Sequence, residues 1–386
     1  YIYEKGLPAS ICDDGRVRTH IYPTLETCRW ASSRPNLTNC SKRREKDYKR
    51  ILGDLYKWPI RTIFRASPGH VLVEADFIGA ELLGAAIMSG DAAMIDHCRR
   101  NQLPEHHPDY YDIHSQVAVR AFRLRCEPTK SGLDSIGKSN LRIVAKAVIF
   151  GLMYGRGAKA ISVAAQEEKI PLTRDEAQKI IDTIFEMYPD LEPFFAACRE
   201  RATDPGWLCN CFGQFRRFPT VLEEKQIGDF ERQAMNFPMQ SLVAGAMSQA
   251  LDNLLQLRKK HKVGKSLFRI VLQIHDAVLL EVPVKHVAEV VDNIIPAAMV
   301  NGVPIYRTHL DGMPADDKPY HMGVDTNIYT YWGENLMPDD CKKLNVHPKY
   351  AGFIKAADGG WTHREMKAGQ KWLKGRWVPL TTSSKT

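Results

Sequence analysis

A chain of 386 residues with 44% hydrophobic and 25% charged side chains is globular material, long enough for about two or three domains, which excludes the disordered and fibrous classes. Its longest apolar runs break at Gly, Asp, Gln or Lys well short of the roughly 18 to 20 residues that span a bilayer, and no charged-then-apolar signal segment opens it; the expectation is an intracellular, cytoplasmic protein of a bacterium or a virus-infected host. The formal charge of +8 is compatible with a polyanionic partner without demonstrating one.

Residues 1 to 60 are polar and broken by Pro, Gly and Asn, with short extended patches such as RVRTHIY, which predicts loops and small strands. A basic run, SKRREKDYKR, lies at 41 to 50. Residues 71 to 76 read as a buried strand between Pro68-Gly69 and Ile78-Gly79, followed by a helical ELLGAAIMS, so Asp76 stands where strand gives way to turn and helix. From 90 to 230 the pattern is mostly helical; in TRDEAQKIIDTIFEMYP, Thr173 predicts an N-cap with Glu176 three residues on. Residues 239 to 260 predict a long helix with Leu242, Val243, Ala246, Met247, Ala250, Leu251, Leu254 and Leu255 on one face, ending in a basic RKKHK. FRIVLQ and AVLLEV predict a β-hairpin turning near His275-Asp276. After Trp332-Gly333 the composition shifts: residues 335 to 386 carry roughly six more positive than negative charges, with Trp361, Trp372 and Trp377, and read as a basic tail or small subdomain. Strands near both ends of the core and helices between them predict an α+β sheet domain with a helical insertion.

The nine cysteines are scattered and odd in number, without paired C-x-x-C spacing, which predicts reduced thiols. Cys209 with Cys211, and His106, His107 and His114, are the metal-like groupings, and both read as structural.

The chemistry rests on two acids and a stripe. Asp76 in VLVEADFIGAEL and Asp276 in LQIHDAVLLEV lie 200 residues apart, each at the end of an apolar β-like run. A lone strand-end Asp is usually a turn or cap residue. Two such acids, however, could hold two divalent cations roughly 3.5 to 4 Å apart, the clamp used for phosphoryl transfer to a hydroxyl. Carboxylates suit Mg²⁺, which prefers hard oxygen donors. Between them, in NLRIVAKAVIFGLMYG, steps of four place Arg142, Lys146, Phe150 and Tyr154 on one broad helix face. Cations in the first turns could grip a triphosphate, aided by the positive helix end, with the aromatics further along against sugar and base. The plain alternative is a helix with a solvated basic start and a buried aromatic end.

At these residues the chain resembles the DNA polymerase I family, family A. VEADFIGAELLGAAIMSGD is similar to its metal-binding first motif, RIVAKAVIFGLMYG to its fingers helix with the Arg-x3-Lys-x7-Tyr-Gly spacing, and QIHDAVLLEV to its third motif. RVRTHIYPTLETCRWASSRPNLTN, YYDIHSQVA, CFGQFRRFP and RQAMNFPMQS fill the gaps in family order across about residues 15 to 334. The resemblance implies a right-hand polymerase fold: a palm of antiparallel sheet over 1–90 and 226–334, helical fingers over 91–225, and a basic tail over 335–386. It implies template-directed DNA synthesis, in which Asp76 and Asp276 bind two Mg²⁺ ions, for which Mn²⁺ can stand in. Arg142, Lys146 and His114 would hold the dNTP triphosphate, Phe150 and Glu81 would pack around the sugar with Glu81 disfavouring a 2′-hydroxyl, and Tyr154 would sit near the templating base. Arg29, Asn36, Asn39, Arg232, Asn236, Gln240 and His275 would contact primer-template DNA, reading duplex shape rather than sequence.

Departures accompany the match. The family usually follows the third-motif Asp with Glu, here Ala277; the Arg closing the first motif is Leu83, and the Asn before the fingers Phe is Ile149. None of these removes an expected metal ligand. The matched region also lacks the family's thumb and upstream 3′-5′ exonuclease, so a phage-type member, split or truncated, is expected, with thumb and possibly exonuclease supplied by a second polypeptide or a missing N-terminal segment, and no membrane partner. Two rival readings are a single-subunit RNA polymerase, against which Glu81 and Phe150 argue, and a non-catalytic DNA-binding or processivity subunit keeping the polymerase fold.

Overall fold

The computed structural model describes residues 7–23, 25–40, 60–167, 169–219, 223–260 and 267–355, together with backbone strands further on. The basic run at 41–50 and the last two residues of RKKHK lie outside the described residues, as do the side chains of Trp361, Trp372 and Trp377. In chain order, β1 (His20–Tyr22) and β2 (Ala31–Ser33) pair, and β3 (His70–Phe77) follows. Helices come next: α1 (Ala80–Ser89), α2 (Ala92–Asn101), α3 (Ile113–Ala121), α4 (Lys130–Ser135), α5 (Ser139–Met153), α6 (Ala158–Glu167), α7 (Arg174–Met187) and α8 (Leu191–Thr203). A small hairpin of β4 (Trp207–Cys209) and β5 (Phe215–Arg217) leads to α9 (Glu224–Lys260), β6 (Arg269–Ile274) and β7 (Ala277–Pro283). After helical turns to Asn301 come β8 (Val324–Tyr331), β9 (Glu334–Asn335), β10 (Phe353–Lys355), β11 (Trp361–His363) and β12 (Lys367–Ala368).

The chain divides into two compact units, one comprising 1–78, 246–303 and 321–386, the other 79–245 and 304–320. The first is built on a six-stranded antiparallel sheet in the order β12-β8-β3-β7-β6, with β9 pairing β8. β3 is its middle strand and is closed on both faces: Val71, Leu72, Val73, Ala75 and Phe77 are buried. A strand buried on both faces reads as a near-continuous apolar run, which is why VLVEA was recognisable. Burying each of these larger side chains contributes about 1.5 to 3 kcal/mol. Glu74 interrupts the run, and its charge is matched: Trp332 Nε1 donates to it at 2.6 Å and Arg61 Nη1 lies 3.5 Å away. Arg61 itself is buried, stacked 4.2 Å over Trp332, and donates through Nε to the Cys40 carbonyl at 3.0 Å.

The second unit is helical. Gly90, at φ 75°, ends α1 by donating its N–H to the Ala86 carbonyl, and Asp91 caps α2 by accepting from Met94 N at 2.8 Å. α7 carries the expected capping box, with Thr173 and Glu176 each accepting from the other's backbone N–H. α5 buries Val144, Ala145, Val148, Ile149 and Leu152, leaving Arg142, Lys146 and Phe150 less covered.

Two elements differ from the sequence reading. The long helix begins at Glu224 rather than 239, because the chain continues helical through Pro238. Proline removes one backbone donor inside a helix and disfavours continuation, yet α9 is held by its apolar side chains, with Ala234, Phe237, Leu242 and Ala246 fully buried. In the basic tail, Lys367–Ala368 pairs with β8 and so extends the sheet. Each of the nine cysteines is a free thiol. Among the described residues no helix is long and apolar enough to cross a membrane.

Candidate active site

β6 and β7 meet in a two-residue turn, His275-Asp276, with His275 at φ 55°. A two-residue hairpin turn needs left-handed backbone of this kind. The turn sets Asp276 immediately before Ala277, and Ala277 is the register partner of Asp76 on β3. The Asp276 carbonyl accepts the Phe77 N–H at 3.1 Å. Acids 200 residues apart in the chain are thereby brought together where the end of β3 meets the β6–β7 turn. Both side chains are half-buried.

Register adds an acid the sequence reading did not single out. Asp325 on β8 is the partner of Asp76 on its other side, so Asp76 is flanked by Asp325 and by Ala277. Nothing local in GVDTNIYTY marks it, since strand pairing fixes which residues face each other. Among the described residues no three His, Cys, Asp or Glu side chains gather closely enough to cage a metal by themselves. The donor set nevertheless fits Mg²⁺, which is commonly held by one or two carboxylates with substrate phosphates and water completing its octahedron.

In the helical unit the stripe on α5 is drawn together with α3. Arg142 donates to Asp112 through Nε at 2.7 Å and Nη2 at 3.2 Å, a side-on bidentate pair. Asp112 also caps α3, accepting from Ser115 N at 3.4 Å and Ser115 Oγ at 2.7 Å, and His114 Nδ1 lies 3.6 Å from it. Burial alone would raise the Asp112 carboxyl, but the neighbouring His114 imidazole and the hydrogen bonds from Arg142 and Ser115 outweigh it and hold the group well below the usual carboxylate range. Burial lowers His114, with Asp112 opposing. Partial desolvation and then Arg142 lower Lys146. The His114 ring stacks on Phe150 at 6.3 Å, and Lys146 Nζ lies 5.7 Å over the same ring. Arg142, Lys146, His114 and Phe150 are therefore one cluster.

Tyr154, just past the end of α5, donates its hydroxyl to both oxygens of Glu81 at 2.9 Å. Its carbonyl accepts from Asn236 Nδ2 at 3.0 Å, which ties α9 to the same place. Gly155 at φ 69° follows, with Arg232 Cα so near that an added Cβ would sit 3.0 Å from it. Glu81, Tyr154, Asn236 and Arg232 are thus assembled, and Gln240 lies one turn beyond Asn236 on α9, half-buried. Arg232 pairs with Asp229.

The remaining DNA-contact candidates are in the sheet unit. His275 is exposed at the hairpin turn beside Asp276. Asn36 accepts from Ser32 Oγ, Thr38 Oγ1 and Asn39 N, so its side chain also organises its own turn. Asn39 is exposed and Arg29 half-buried. Of the metal-like groupings, His114 belongs to the Asp112 cluster, while His107 accepts from Asp109 N in a local turn.

Comparison with known proteins now gives this arrangement its class. Residues 1–310 match the family model of DNA polymerase family A, and the chain belongs to that family. It is 32% identical to the DNA polymerase I of Caldicellulosiruptor bescii over 308 residues, covering 78% of this chain and 32% of that protein. It is 29% identical to the DNA polymerase I of Lactococcus lactis subsp. lactis over 291 residues, 75% of this chain and 29% of the relative. The chain thus spans about a third of the length of these relatives. Among solved structures, it is similar to the POL domain of Pol1 from M. smegmatis, in complex with DNA primer-template and dNTP, at a TM-score of 0.65 and 26% identity over 85% of this chain and 50% of that one. The fold is that of a family A polymerase domain, α+β with an antiparallel sheet and helical insertion.

Proposed function

We propose that this chain is the metal- and nucleotide-binding part of a template-directed DNA polymerase, with the sheet unit serving as palm and the helical unit as fingers. The observation that carries the reading is the pairing of β3 with β7 in a family A chain, which brings Asp76 to Asp276, the two acids that the motif resemblance proposes for metal. Two Mg²⁺ ions, when bound, would activate the primer 3′-hydroxyl for attack on the α-phosphate and steady the departing pyrophosphate.

In this reading Asp76 and Asp276 hold the cations through carboxylate oxygens. Arg142, Lys146 and His114 present donors to the triphosphate, and charge-assisted bonds of this kind are about twice as strong as neutral ones. Glu81, anchored by Tyr154, borders the sugar beside Phe150 and makes a 2′-hydroxyl unwelcome. Arg29, Asn36, Asn39, Arg232, Asn236, Gln240 and His275 contribute to the primer-template contact. The M. smegmatis complex supports the substrate pair, since it holds primer-template and dNTP. The test is single-nucleotide addition to a primer-template with Mg²⁺, comparing dNTP with rNTP. The reading expects dNTP addition that stops on chelation. Preference for rNTP would favour an RNA polymerase, and DNA binding without addition in either case a non-catalytic subunit.

A further inference from the structure

Asp112 was not among the residues that the motifs singled out, yet it is the hub of the cluster on α3 and α5. It is 2% exposed, and its two oxygens receive Arg142 Nε and Nη2, Ser115 Oγ and Ser115 N, with His114 Nδ1 at 3.6 Å. A buried carboxylate is tolerated only when its charge is matched and its lone pairs are filled, and removing one partner of such a pair is strongly destabilising. This one is matched by a residue of the nucleotide stripe rather than by a purely structural cation.

The geometry determines what is left over. Arg142 engages Asp112 side-on, through Nε and one Nη2 proton, so the rest of the guanidinium fork stays available to an anion. Holding a long, flexible side chain in one orientation before the ligand arrives removes an entropic cost from binding. The same carboxylate lies beside His114, whose ring stacks on Phe150. Its negative charge also offsets the repulsion between Arg142 and Lys146, one helical turn apart on α5.

We propose that Asp112 is a positioning residue for the triphosphate of the incoming nucleotide, acting through Arg142 rather than by touching the nucleotide. The proposal rests on the reading of Arg142 as a triphosphate ligand, and the experiment separates the two. Asp112→Asn keeps a good helix-capping oxygen and nearly the same shape but removes the charge and the bidentate acceptance. Single-nucleotide addition is measured for wild type, D112N, R142A and the double variant, with KM for dNTP and kcat determined separately and thermal unfolding followed alongside. D112N should raise KM for dNTP about tenfold, the equivalent of one charged hydrogen bond, with a smaller change in kcat. In the R142A background the same substitution should add little, because the residue through which it acts is gone. An additive penalty in the double variant, or wild-type KM in D112N while R142A raises KM, would overturn the proposal. Wild-type KM in R142A would instead defeat the assignment of Arg142. Should D112N fail to fold, Asp112→Ser, which also keeps a capping oxygen, is subject to the same criteria.

Discussion

Glu81 and Tyr154 stand 73 positions apart and share two hydrogen bonds of 2.9 Å. In the proposed function Glu81 borders the sugar, where a carboxylate discriminates only if it is held still, and the Tyr154 phenol helps to hold it. Tyr154→Phe should therefore relax sugar discrimination while leaving dNTP addition largely in place, raising the rNTP-to-dNTP addition ratio by about tenfold. An unchanged ratio would mean that Glu81 keeps its place without the phenol. His114 gives a pH signature. Burial holds it below its ordinary 6.5, so below that value the folded state binds fewer protons than the unfolded one. Its contribution is full above pH 6.5 and is lost as pH falls toward the lowered folded value. Unfolding free energy should thus decline as pH drops below 6.5, and His114→Gln should flatten that part of the profile. The stripe of Arg142, Lys146, Phe150 and Tyr154 was legible because helical periodicity is written in spacing. Asp112 was not, since a pairing across 30 residues between two helices leaves no local mark.

The elements differ in the same way. β3 and the β6–β7 hairpin announced themselves through apolar runs and a turn, and α7 through its capping box. The start of α9 did not, because Pro238 reads as a break in sequence while burial of the surrounding side chains keeps the helix whole. Nor did the placing of β8 beside β3, which brings Asp325 opposite Asp76. Two substitutions test the helical unit without touching the proposed chemistry. Thr173→Ala removes the N-cap of α7 and should cost about 1 kcal/mol of stability in denaturant unfolding. Gly245→Ala on α9 is the more severe, because an added Cβ would come within 2.5 Å of Phe212 Cδ2. Forcing that ring aside should cost about 1 to 3 kcal/mol. If Gly245→Ala were as stable as wild type, the Phe212 ring could not be packed where it is.

Over the whole molecule, the acids proposed for metal lie in one compact unit and the stripe proposed for the nucleotide in the other. The sheet brings residues 200 positions apart side by side, and the helices gather cations, ring and carboxylate on α3 and α5. Family membership underlies the reaction proposed for both. The most direct test of the central claim is Mg²⁺-dependent addition of one dNTP to a primer-template by the wild-type chain, Asp76→Ala and Asp276→Ala, with folding verified for each. The wild type should extend the primer, and each variant should fall to the level of the chelated control. Near-normal extension by either variant would contradict the assignment of these two aspartates as the metal ligands.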